Sequence, residues 1–153
     1  MRGRRAAGAA VIAILLTVTG CTSGGGSAET AVRVLHTYRG TAVVPGASSD
    51  GDGRPAAHWI AGREQVALTT SGSSSCPRVP VSVRVASPTR VVLRLKDYGD
   101  RFCTFDFAAT TSELALPDAV SRRAVVRVTL EAAQGEPAVV RLRPDPTVAS
   151  RAG

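Results

Sequence analysis

Aromatic side chains are scarce in this 153-residue chain: three Phe, two Tyr and one Trp, 4% of the total. Lysine occurs once, at Lys96, and histidine twice, at His36 and His58. Each scarcity narrows the chemistry. Nucleic acid is held by basic residues interleaved with stacking aromatics, whereas here the arginines come singly with few aromatics beside them, so the sequence gives no support for a nucleic-acid partner. No Cys-x-x-Cys pair and no histidine cluster supplies a metal or redox centre. The Gly-x-Ser-x-Gly elbow of the α/β-hydrolases is missing. A membrane helix needs about 20 apolar residues, and the longest uncharged, mostly apolar run, residues 6–18, has thirteen.

What is present begins at the N-terminus. Arg2, Arg4 and Arg5 precede the apolar run and Thr19-Gly20 closes it with small residues, which is the layout of a secretory signal peptide. Cys21 follows at once and opens the tract "CTSGGGS". Val18-Thr19-Gly20-Cys21 resembles the lipobox of bacterial lipoproteins of the high-GC Gram-positive type, with an aliphatic residue three before the cysteine and glycine just before it. That resemblance covers residues 1–21. It implies diacylglycerol transfer to the Cys21 sulfur, removal of residues 1–20, and a mature chain held on the extracytoplasmic face of the cell membrane by its N-terminus. Two acyl chains give stable anchoring where one is marginal. Residues 21–31 are then a lipidated cysteine and a Gly/Ser-rich tether, a flexible coil whose ends lie about 5 to 6 Å times the square root of residue number apart.

The body of the chain is of single-domain size. Three of its nineteen basic residues lie in the leader and all twelve acidic ones follow it, so the mature chain carries +4. Eighteen of the nineteen are arginine, a bias that fits a high-GC genome. Once Cys21 is lipidated, Cys76 and Cys103 remain as an even pair in an exported chain, and such a pair reads as a disulfide. It would close a loop of 28 residues, worth roughly 3 to 4 kcal/mol in the chain-entropy account.

Period-two alternation runs through the remainder. Residues 32–39 place Val32, Val34, His36 and Tyr38 on one face; residues 79–86 place Val79, Val81, Val83 and Val85 together; residues 90–96 alternate Val91, Leu93 and Leu95 with Arg90, Arg94 and Lys96. "CTFDF", "SELAL", "AVVRVTLE" and "AVVRLR" continue the pattern, broken by "SPT", "DYGD", "LPDAVS" and "AQGEP". Residues 116–123 allow one short helical turn. The expectation is an all-β fold, an antiparallel β-sandwich of seven to nine strands and immunoglobulin-like architecture, over residues 32–144. Its core is expected to contain Val81, Val83, Leu93, Leu95, Phe105, Val126 and Val128, with a disordered tail at 145–153. The single Trp59 precedes both cysteines, which is not the immunoglobulin order.

Sites are few. "SSDGDG" sets Asp50 and Asp52 at alternate positions like the opening of a calcium loop, but Ser48 and Trp59 stand where the first and last acidic ligands belong. Ser73, Ser74 or Ser75 with His58 and Asp97, or with Lys96, make a hydrolase only on paper, and no cofactor is called for. If Cys76 joins Cys103, the "SGSSS" run comes beside the turn at residues 96–102. Loops held by a rigid scaffold are common binding surfaces. There Tyr98, Arg101 and Phe102 are the contact residues to choose. The sequence therefore points to a non-enzymatic lipoprotein that binds an envelope protein or wall polymer, with small-ligand or cation binding as the alternative and a hydrolase behind it.

Overall fold

A computed structural model describes residues 28–42 and 53–149. The leader, Cys21 with the tether as far as Ser27, Asp50 and Asp52, and the last four residues lie outside the described residues. Among the described residues nine strands and one short helix follow in order: β1 (Thr30–Ala31), β2 (Arg33–Arg39), β3 (Ala56–Trp59), β4 (Val66–Gly72), β5 (Pro80–Ser87), β6 (Arg90–Leu95), β7 (Ala108–Ala115), β8 (Val126–Glu131), β9 (Ala138–Leu142) and α1 (Pro146–Ala149). They form a five-stranded sheet in the order β1-β5-β6-β8-β9 and a four-stranded sheet in the order β2-β7-β4-β3.

Alternation dictates most of this. Val91, Leu93 and Leu95 in β6, Val126, Val128 and Leu130 in β8, and Val140 and Leu142 in β9 are buried, while the residues between them are exposed or half-buried. Trp59, Val66, Leu68 and Leu114 from the smaller sheet meet them in one core, so the two sheets pack face to face as a sandwich. Pro88 and Thr89 turn β5 into β6, with Ser87 paired to Arg90. Pairing is antiparallel except between β6 and β8, which run parallel. The chain leaves β6, lays β7 in the other sheet and returns, the long crossover that a parallel neighbour requires.

Several expectations are corrected. Val81 is 41% exposed because the register slips between Pro80 and Ser82, which turns Pro80 inward in its place. Residues 103–107 form no strand, and Phe105 is 94% exposed. A bulge between Val34 and His36 interrupts β2, leaving Val34 and Leu35 half-buried and His36 and Tyr38 exposed. Strands β3 and β4, unforeseen in the alternation, supply half of the smaller sheet. Residues 116–123 make a turn, closed by the Val120 amide on the Pro117 carbonyl at 2.9 Å.

The expected tail is corrected at residues 145–149, which belong to the folded domain. Asp145 is completely buried. Its carboxylate accepts from Arg122 Nη2 at 2.6 Å and Nε at 3.1 Å, and from the Thr147 amide and hydroxyl at 2.9 and 2.7 Å. Arg122 also reaches Glu64 at 2.5 Å and lies over the Trp59 ring at 5.6 Å. Burial alone pushes the Asp145 carboxyl up; the hydrogen bonds from Thr147 and Arg122 outweigh it and hold the pKa below the ordinary carboxylate value. Asp145→Ala leaves Arg122 with only its solvent-exposed Glu64 as an acidic partner and should cost about 3 kcal/mol, read by denaturant unfolding. Because the folded pKa is depressed, this contribution is present above the unfolded carboxylate value and is lost as pH falls through the folded one. The gap between wild type and variant should therefore close on acidification.

Candidate functional site

Cys76 follows β4 and Cys103 follows β6, so each sits on a connection that crosses from one sheet to the other. They are joined, with Cα atoms 5.6 Å apart. Cys76 is buried and Cys103 half-buried, so the bond ties a loop at the sandwich edge to the packed interior.

The serine run is the inner half of this site. Its small side chains leave room for hydroxyls and amides to bond each other. Ser73 Oγ lies 3.0 Å from Ser75 Oγ and 2.9 Å from Thr104 Oγ1, and accepts from the amides of Ser75 and Cys76 at 3.2 Å. The Thr104 amide donates to Ser75 Oγ at 3.0 Å. Asp106 completes the lattice, accepting from the Ser74 amide at 2.8 Å and from the Thr104 hydroxyl at 3.0 Å. Hydrogen bonds from the Ser74 side chain and amide, with Thr104 adding to them, hold the Asp106 carboxyl down to about 2. These hydroxyls therefore organise the loop between β4 and Cys76.

Of the three residues chosen from sequence, Tyr98 is a brace. It is half-buried, its hydroxyl donates to the Pro77 carbonyl at 3.0 Å, and Lys96 Nζ sits 4.9 Å from its ring centroid. Burial raises its pKa, against an opposing influence of Arg101. Arg101 and Phe102 are exposed at the tip, the Arg101 amide closing a turn on the Tyr98 carbonyl at 3.2 Å.

Phe105 and Phe107 line the same hollow as Phe102, although the alternation of "CTFDF" predicts a strand there. Phe102, Phe105 and Phe107 are 99%, 94% and 78% exposed, and they are all the phenylalanines in the protein. Burying one such side chain is worth about 1.5 to 3 kcal/mol, so three left in water forgo a substantial share of folding energy. Phe107 also has a φ of +47°, a left-handed backbone that costs a residue with a Cβ about 1 to 2 kcal/mol. It stands immediately before β7, at the end of "CTFDF", which forms no strand. The aromatics, with Lys96, Tyr98 and the disulfide, border a hollow of about 530 Å³. Its charged neighbours are mixed, with Arg78, Lys96, Arg101, Asp97, Asp100 and Asp106 at the same end.

Ser73, Lys96 and Asp97, grouped on paper as hydrolase residues, border this same hollow, and His58 does not line it. His58 is half-buried on β3 opposite Ala67, where desolvation lowers its pKa. Five residue steps along β4, about 17 Å, separate Ala67 from Gly72, which precedes Ser73. Among the described residues no three His, Cys, Asp or Glu side chains converge.

Reducing the disulfide should lower stability by about 3 to 4 kcal/mol, measured by urea unfolding with and without reductant. Asp106 supplies a separate handle. Its depressed pKa means the loop lattice is complete above the ordinary aspartate value of 3.8 and loosens as pH falls toward 2. Amide exchange at Ser74 should accelerate in that window, and Asp106→Asn should show the faster exchange already at neutral pH.

No known protein family matches the chain, and no curated protein or solved structure matches it.

Proposed function

We propose that this protein is a non-enzymatic, lipid-anchored module on the extracytoplasmic face of the cell membrane, and that it uses its stapled end to grip an apolar segment of an envelope protein. The observation carrying this reading is the exposure of all three phenylalanines on one covalently braced loop. Contiguous exposed apolar side chains mark interaction surfaces, and holding them rigid before contact reduces the ordering cost of association. The balanced charges around them favour an apolar protein contact over a wall polymer. The Cys76–Cys103 bond fits an oxidising, extracytoplasmic setting. Anchoring rests on the leader and the lipobox-like residues ending at Cys21. A second reading, an apolar small ligand, is favoured by the hollow of about 530 Å³, within the usual span of ligand pockets.

Two experiments test this function. Mass spectrometry of the membrane-extracted protein should find Cys21 as the first residue, bearing a diacylglyceryl group on sulfur, and Cys21→Ser should abolish that processing. Recovery of residues 1–20 in the stable protein overturns the anchor. For the binding end, a photo-crosslinking residue at Phe105 should join one discrete envelope protein, and the same residue at Val139 should not. Phe102→Ser with Phe107→Ser should reduce that crosslink at least tenfold with the melting temperature unchanged or raised. Equal crosslinking in that variant removes the aromatic end from the function.

A further inference from the structure

The outer face of the five-stranded sheet carries a different surface. Because Val83, Val91, Leu93, Val126, Val128 and Val140 point into the core, alternation sends Arg84, Arg90, Arg94, Arg127 and Arg141 outward. The strand register gathers three of them in one row: Arg90 stands opposite Arg127, and Arg127 opposite Arg141. With strands about 4.8 Å apart the row spans about 10 Å. Like charges directly opposite on neighbouring strands are destabilising. All three are exposed, and none is in an ion pair among the described residues.

Acidic groups on this face collect elsewhere. Glu29 pairs with Arg94 at 3.2 Å, and Glu131 stands opposite Arg94 in the register. The arginine row lies beyond them, separated by a row made of Arg84, Val92, Thr129 and Val139. The outcome is a cationic band on an open sheet face, with Val139 47% exposed beside it.

We propose that this band docks on the anionic phospholipid headgroups of the membrane and lays the five-stranded sheet against the bilayer. Charge complementarity carries the proposal: unneutralised arginines distributed over adjacent strands match a two-dimensional array of phosphates, and no aromatic on this face offers a stacking site for a base. The attachment point agrees. Strand β1, where the domain starts, lies at the edge of this same sheet, and the eight residues from Cys21 to Ala28 reach at most about 28 Å. That second argument rests on the anchoring proposed above; the row of charges does not. With the sheet face down, the stapled end points sideways and stays open to its partner.

The test uses the mature protein purified from cells, reconstituted on vesicles of phosphatidylcholine with or without about one-third phosphatidylglycerol, with an environment-sensitive fluorophore on Val139→Cys and lipid-borne quenchers. Quenching should be strong on the anionic vesicles, weak on the zwitterionic ones, and reversed by high salt. At about 1 kcal/mol per arginine near an anionic surface, replacing Arg90, Arg127 and Arg141 by Ser should lower the docked-to-free ratio about 100-fold. The same variant should be at least as stable as wild type, since a like-charge row has been removed; a loss of stability would mean the arginines serve the fold and would overturn the proposal. Equal quenching on both vesicle types, or capture by a soluble polyphosphate with none by the vesicles, also overturns it, the latter in favour of a wall polymer. Should Cys21 prove unlipidated, co-sedimentation of the exported chain with anionic but not zwitterionic vesicles still reports on the band alone.

Discussion

The covalent bond between Cys76 and Cys103 is the constraint on which the far end of the molecule depends. Residues 96–107 have no strand partner, and nothing in their apolar content would hold them out in water, since three phenylalanines left free would collapse onto the nearest apolar surface. The bond fixes the β4–β5 and β6–β7 connections at once, and the hydroxyl lattice of Ser73, Ser75, Thr104 and Asp106 fixes what lies between. With the loop's position set by covalent and polar contacts, its aromatics are free of any duty to the core. That separation of roles lets a small domain display apolar side chains without losing its shape.

The opposite end is closed by ions instead. Arg122 comes from the connection between β7 and β8, Glu64 from the β3–β4 hairpin and Asp145 from beyond β9, so one guanidinium gathers three parts of the chain. Asp145 is fully buried and Arg122 a quarter exposed, a geometry in which the planar fork of arginine offsets desolvation better than a lysine would. The short helix α1 is therefore part of the domain. A charged residue followed by proline and small polar residues looks like a tail in sequence, and only the distant Arg122 reveals otherwise.

Legibility followed the physics of each element. Strands β5, β6, β8 and β9 have one face in the core and one in water, so period two betrays them. Strand β4 lies between β3 and β7, and Val66, Ala67, Leu68, Thr69 and Thr70 are all buried; a strand covered on both faces has no alternation to read. "CTFDF" erred the other way, because its alternation is real but the segment, bonded at Cys103 and ending in the left-handed Phe107, forms no strand. The disulfide itself was legible by counting cysteines, and the exposed positions of Arg101 and Phe102 follow from their place in the turn beside it, whereas the exposure of Phe105 and Phe107 was hidden by their resemblance to a core strand. The arginine row was invisible for a geometric reason: its members are single residues on three strands, and only register makes them neighbours.

The parallel pairing of β6 with β8 has a consequence for how the chain reaches this state. Strand β7, which β6 and β8 bracket in sequence, is the neighbour of both β2 and β4 in the other sheet. Until residues 108–115 are in place, β2 has no partner and the smaller sheet is a lone hairpin of β3 and β4, too little to be stable in water. Placing them leaves the larger sheet waiting for β8. Neither half can therefore serve as a finished template for the other, and the domain gains its order late and all at once, through contacts between distant parts of the chain, in the slow regime typical of sandwich topologies.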